Sequence, residues 1–402
     1  MIVFHPVALL AAILAIDSAL APAGRAGESF SFAEIRLLAQ ALAAEPQAPP
    51  KRVAEPFLKL DYDVYRLIAP RHENAQWRDA DLPFWVEFFP AGFIFEYPIE
   101  VNLVDRAGRV ETLKADDRWF QFRGAVSSLA HEPGGGFSGF RLLGRLKGAS
   151  PKTEFAVFQG ASYFRAIGAD QWYGSSARGL AIDIGLPTPE EFPRFTRFWI
   201  EQPADDATEA RVWALLDSPA VAGAYQFTIS TGKETTLAVE ADLWFRHGVQ
   251  KVGVAPLTSM WMWDVASKPA DDPRPAVHDA DTLWIDEPGK PPVIRPLERP
   301  EKPKVSSWEV SQLQRFGLLQ RDRDFAHYQD NEAHYDRRPS VWVVPEGDWG
   351  RGRVELLELP SDHEGGDNIG AYWVSEKPVR AHDHLELKYR VIFSEGPENV
   401  RD

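Results

Sequence analysis

The sequence predicts an all-β fold: a large β-sandwich with a short N-terminal helix and long loops that shape a cleft. Three observations carry that expectation. Short apolar or aromatic runs recur along the chain, with Gly, Pro and Asp clusters between them. One segment alone shows clear helical spacing. The chain has 402 residues, 44% hydrophobic and 26% charged, which is globular composition and enough for one large all-β domain or two smaller ones.

Taken in order, Val7 to Ile16 (VALLAAILAI) is too short for a comfortable membrane span, and Asp17 follows it. Ala21-Pro22-Ala23 and Gly24-Arg25-Ala26 both fit the small-x-small pattern of signal peptidase. Residues 1–26 therefore read as a secretion signal, although MIVFHP lacks the usual Lys or Arg. The alternative is a buried N-terminal helix. Phe32 to Ala44 reads as the helix, since Ile35, Leu38 and Leu42 share a face and Ser31 can cap its start. Pro46, Pro49 and Pro50 stop it.

From Leu58 onward the text is mostly β. Phe84–Phe89 and Phe93–Tyr97, joined by Pro90-Ala91-Gly92, read as a hairpin. Further strands are expected at Val101–Val104, Trp119–Phe122, Phe155–Gln159, Val212–Leu216, Tyr225–Ser230, Thr236–Phe245, Val341–Val344, Val354–Leu359, Ala371–Val374 and Leu385–Phe393. Lys268–Arg274 and Asp286–Lys304 are rich in Pro, Asp and Glu. Strand text resumes after each, so they read as functional loops on one scaffold rather than linkers. One domain over residues 27–395 follows, with 396–402 as a tail. No later segment is apolar enough to cross a bilayer.

The net charge is −15, from 44 basic and 59 acidic residues, which disfavours nucleic acid as a partner. With no cysteine, disulfides, thiolate metal sites and cysteine nucleophiles are excluded. Gly134-Gly135-Gly136 lacks the context of a phosphate loop and reads as a turn. No Gly-x-Ser-x-Gly elbow and no metalloprotease His pair occurs. His278 and His363 sit near acids, as loop histidines often do, so neither a metal nor a cofactor is expected. Arg321, Arg323, Arg337 and Arg338 form a basic patch suited to carboxylates or sugar hydroxyls. The 14 tryptophans suit a large core, or the walls of a sugar cleft, where flat C–H faces of sugar rings stack on aromatic rings.

Glycosidic hydrolysis needs two carboxyl groups flanking the anomeric carbon. Two contexts stand out. Val277-His278-Asp279-Ala280-Asp281 ends a Pro-rich loop just before apolar Leu283-Trp284-Ile285. Gly365-Gly366-Asp367-Asn368-Ile369 puts a carboxylate after two glycines and before a strand. An Asp at a strand entrance is held rigidly, and glycines leave room for a ligand. The alternative for each context is an Asx turn or a strand-end cap, which is the commoner role of such an Asp.

The chain resembles the OpgG/OpgD (MdoG/MdoD) family of periplasmic glucans biosynthesis proteins. The similar text includes GASYFR from Gly160, YGSSARGLAID from Tyr173, EEFPRFTRFWIE from Glu190, ALLDSP from Ala214 and GVAPLTSM from Gly253. It continues through RPAVHDAD from Arg274, QRDRDFAHYQD from Gln320, YDRRPSVWV from Tyr335, DWGRGRVEL from Asp348 and DNIGAYW from Asp367. The resemblance implies a galactose-mutarotase-like supersandwich, export to the periplasm and action on a β-1,2-linked glucan. It implies anomer inversion, with Asp367 as general acid and Asp279 as general base, roughly 6.5–9.5 Å apart to leave space for water. Tyr335 and Arg338 match glucan-contacting positions, and Trp261, Trp263, Arg178 and Tyr163 join them as candidate substrate contacts.

The chain departs from the family pattern in four places. It stops near Asp402, where relatives usually continue into an immunoglobulin-like second domain. Trp261 and Trp263 stand where relatives often carry smaller or different apolar groups. DEPGKPPV from Asp286 differs from the usual Gly- and Trp-containing stretch, and Ser175 stands where Leu is usual. Three functions remain open on the sequence: inverting endo-hydrolysis, transglycosylation at the same site, and glucan binding or assembly without catalysis. The expected partner is a β-glucan, and a homodimer is left open.

Overall fold

The computed structural model describes residues 30–146 and 151–396. The secretion-signal reading of residues 1–26 and nearly all of the expected tail fall outside them. Two large sheets face one another across an apolar core, an all-β sandwich. The first sheet has ten strands. It runs from Trp85–Pro90 through Phe137–Gly144, Thr153–Gln159, Tyr163–Ala166, Ser176–Arg178, Val252–Ser259, Ile369–Ser375 and Gly352–Glu358 to Lys304–Val310, and Leu180–Ile182 also pairs with Val252–Ser259. The second has eleven strands. Its centre is a meander of Glu209–Asp217, Val221–Ser230 and Thr235–Phe245, extended by the long strand His384–Ser394.

Alternation dictates which face is core. Tyr163 and Arg165 are half-buried while Phe164 and Ala166 are fully buried, so successive side chains point to opposite faces. The inward set includes Phe140, Phe158 and Phe164 of the first sheet and Phe198 and Phe227 of the second. Phe158 meets Phe140, Phe198 and Phe227 with ring centroids 5.1–5.7 Å apart. Such pairs add about 0.5–1.5 kcal/mol each beyond area burial. This aromatic slab fixes the two sheets against one another and makes the outer face of the ten-stranded sheet a rigid platform.

The helix spans Phe32–Ala43, and the Ser31 backbone N–H donates to the Glu34 carboxylate at 2.8 Å across its first turn. Phe32, Ile35 and Ala39 pack against Trp199, Trp213 and Leu215 on the outer face of the eleven-stranded sheet. Arg36, on its other flank, donates to Asp242 at 2.7 Å.

Two sequence readings need correction. The hairpin expected at Phe84–Tyr97 does not form: Trp85–Pro90 pairs with Phe137–Gly144 instead. Gly92 and Phe95 exchange backbone hydrogen bonds at 2.8 and 2.9 Å, and Phe93 sits at φ +55°, so the chain closes a tight turn where the second strand was expected. The stretch Asp286–Lys304 is not all loop, because Val293–Pro296 pairs back onto Thr282–Asp286 as an edge strand.

Candidate functional site

The outer face of the ten-stranded sheet carries a row of polar side chains, and pairing register shows why. Tyr163 lies opposite Arg178, and Ser176 opposite Thr258, so these four share one face, along with Arg165 two residues beyond Tyr163. Across the sheet Glu87 pairs with Arg141, Arg141 with Val157 and Val157 with Arg165. Opposite Arg178 the strand Val252–Ser259 bulges: its register slips between Val254 and Leu257, with Ala255 at φ +46°. Bulges re-aim the side chains that follow them, and here Thr258 follows.

Two aspartates converge on the end of that strand. The backbone N–H of Asn368 donates to Ser259 O at 3.1 Å, and that of Asp279 donates to Met260 O at 2.8 Å. Asn368, next to Asp367, and Asp279 are thus anchored to adjacent residues, although 88 positions separate the two aspartates in the chain. Thr258 Oγ1 donates to Asp367 Oδ2 at 2.7 Å. Asn368 braces the junction: its amide donates to Trp261 O at 2.9 Å, and its carbonyl accepts from Trp261 N–H at 2.8 Å. Ser175 Oγ donates to Ser259 Oγ at 2.8 Å, a buried polar contact onto the same strand.

The two carboxyl groups sit in different surroundings. Asp367 is exposed. Asp279 is 5% exposed, and burial pushes its carboxyl up to about 6. Arg338 opposes that rise, the nearby Asp367 charge adds to it, and Arg165 opposes it. Arg338 Nη1 donates to Asp279 Oδ1 at 2.5 Å. Its stem passes over Gly174, where a Cβ would come within 2.9 Å of it, so glycine is needed at that position. The adjacent His278 is buried, hydrogen-bonded to Gln320 at 2.9 Å, and burial holds it below the ordinary histidine range.

The predicted substrate contacts divide. Tyr163 is half-buried on the polar face and also lines, with Tyr97, Gln159 and Arg194, an open depression. Arg178 is buried, pairs with Glu190 at 2.6 Å and lies over the Tyr163 ring at 5.2 Å. Tyr335 is buried, and its hydroxyl donates to Glu364 at 3.2 Å. Trp261 and Trp263 are only 6% and 8% exposed. Trp261 packs in the main core, and Trp263 packs among Met260, Met262 and Tyr335. Both were named as candidate substrate contacts; here most of their ring surface is spent on packing.

Two residues not singled out in the sequence are better placed for a ligand. Trp172, two positions before Gly174, is 46% exposed and lies against the His334 ring, tilted by 32° with centroids 4.3 Å apart. Arg165 is half-buried on the polar face; among the described residues no acceptor takes its hydrogens, whereas neighbouring Arg141 is neutralised by Glu87 and Glu154. GASYFR contains Arg165, but only the strand register shows which way it faces. Among the described residues, the His–carboxylate group close enough for a metal is Asp242, His384 and Glu386. It lies on the other sheet, and Asp242 already holds Arg36.

Comparison with known proteins gives two findings. Residues 30–402 match the family model described as periplasmic glucan biosynthesis protein, MdoG. The chain is 42% identical over 388 residues to "Glucans biosynthesis protein G" of Ralstonia nicotianae, a match covering 96% of this chain and 76% of that relative.

Proposed function

Because this chain belongs to the periplasmic glucan biosynthesis MdoG family, we propose that it acts in the periplasm on a β-1,2-linked glucan as an inverting endo-hydrolase. Asp367 is the general acid. It gives its proton to the leaving glycosidic oxygen, once bound sugar has taken water away from its carboxyl. Asp279 is the general base, drawing a proton from the attacking water directly or through a relay. A base poised near the working pH suits that task, and burial places Asp279 there.

One observation supports this reading above the rest: backbone hydrogen bonds from Asp279 and from Asn368, next to Asp367, land on neighbouring residues Met260 and Ser259. Inversion needs two carboxyl groups held in fixed relation with space between them, and a shared strand end supplies a rigid mount. Around it, Tyr163, Trp172 and Arg165 offer aromatic faces and an uncommitted cation to sugar rings and hydroxyls.

Incubating the purified protein with linear β-1,2-glucan and separating the products by size tests the proposal. Short linear oligosaccharides are expected. Asp367→Asn is expected to abolish their formation while glucan binding persists. Rings or lengthened chains would mean that a sugar hydroxyl replaces water at the same site. Unaltered glucan with the wild-type protein would leave only binding.

A further inference from the structure

Arg338 entered as a substrate contact, but its guanidinium is already committed. Nη1 holds Asp279 Oδ1 at 2.5 Å, and Nε donates to Ala333 O at 3.1 Å. The guanidinium lies 4.5 Å from the centroid of the Tyr335 ring, and the stem fills the space over Gly174. Hydrogen bonds, ring contact and steric fit together leave the group little freedom to turn toward a ligand.

We propose that Arg338 is a positioning residue that orients the Asp279 carboxylate and keeps it ionised for proton abstraction, leaving Arg165 as the guanidinium free to bind glucan. This rests on the base assignment made above. The titratable and charged groups facing Asp279 come from several elements. They are Arg338 and Tyr335 in the turn ending at Arg338, Arg165 on the strand Tyr163–Ala166, and Asp367 ahead of the strand Ile369–Ser375. Arg338 is the member in direct contact. Removing its charge leaves Asp279 buried beside a like charge, with only the more distant Arg165 to offset it, and both effects favour the protonated acid.

The pH profile of kcat/KM on linear β-1,2-glucan is the test, for the wild type, Arg338→Gln, Arg338→Lys and Arg165→Gln. In Arg338→Gln the acidic limb is expected to move up by about one pH unit or more. Its kcat at neutral pH is expected to fall on the order of 100-fold, as a misaimed base predicts, while KM changes less than about threefold. Arg338→Lys keeps the charge but loses the guanidinium's aim on Asp279, so its acidic limb stays nearer the wild-type position while kcat falls and KM changes little; that split carries the test if Arg338→Gln does not fold. Arg165→Gln is expected to raise KM and leave the limb within about half a unit.

An unmoved acidic limb in Arg338→Gln, or in either Arg338 variant a loss that falls in KM rather than kcat, would overturn the proposal and make Arg338 a glucan contact. Asp279→Asn separates this from failure of the base assignment. If Asp279→Asn is inactive while Arg338→Gln keeps the wild-type limb, or the loss in the Arg338 variants falls in KM rather than kcat, only the positioning role fails. If Asp279→Asn turns over at the wild-type rate, the base assignment fails with it.

Discussion

At the scale of single residues, the account turns on one buried carboxyl. Asp279 rises from an ordinary 3.8 to about 6 because burial outweighs Arg338. As the base it must be ionised, so kcat/KM is expected to fall as pH drops through about 6, well above where an exposed aspartate would act. The linkage runs the other way for stability: Asp279 favours the folded state most below its unfolded pKa, and that contribution is lost as pH rises through about 6. Asp279→Asn is expected to reduce turnover on the order of 100- to 10,000-fold. Trp172→Ala should raise KM several-fold through lost stacking, with stability within about 0.5 kcal/mol because the ring is exposed. Kinetics and thermal melts check both variants. The local text marks each aspartate as a candidate, with glycines before one and a Pro-rich loop before the other, but their pairing as acid and base comes from the resemblance. Trp172 and Arg165 were not, because exposure and strand facing are properties of the folded sheet. The burial of Trp261 and Trp263 was hidden for the same reason: a tryptophan's letter does not say whether its face meets solvent or a methionine.

At the scale of elements, three loops are strapped together in front of the aspartates. Arg274 pairs with Asp272, with Asp330 at 3.3 Å and with Glu364 at 2.7 Å. Glu364 also takes the Tyr335 hydroxyl and lies three residues before Asp367. Arg274→Ala is expected to loosen the segment bearing Asp367. The loss should be larger in kcat than in KM, with faster backbone hydrogen exchange over residues 361–367. Exchange unchanged over that segment would count against the strap. The bulge at Ala255 is a second device. Ala255→Val, at a buried position with positive φ, should destabilise by about 1–3 kcal/mol in denaturant titration. Strands with long apolar alternation, such as Thr235–Phe245, were legible in the text. The strand Val252–Ser259, which mounts both aspartates, was not. Its residues are buried throughout, so the period-2 signal vanishes, and Pro256 at the bulge reads as a break. The missing hairpin failed for a related reason, because Phe93 in a left-handed conformation overrides an apolar run.

At the scale of the whole molecule, the aromatic slab between the sheets carries stability, and the outer sheet face carries the proposed chemistry. Phe158→Ala, at the centre of four ring contacts, is expected to cost about 3–5 kcal/mol in chemical denaturation while leaving the pH profile of the folded fraction unchanged. The sandwich class was legible because it needs only many short strands and few helices. The pairing of strands distant in sequence, which brings residues near 165, 279, 338 and 367 to one place, is tertiary and leaves no local mark. The central claim is that Asp367 and Asp279 act as an inverting pair. Proton NMR of the first reducing ends released from linear β-1,2-glucan tests it most directly. The account predicts the α-anomer first, with no release by Asp367→Asn or Asp279→Asn; β-anomer appearing first, or wild-type release by either variant, would contradict it.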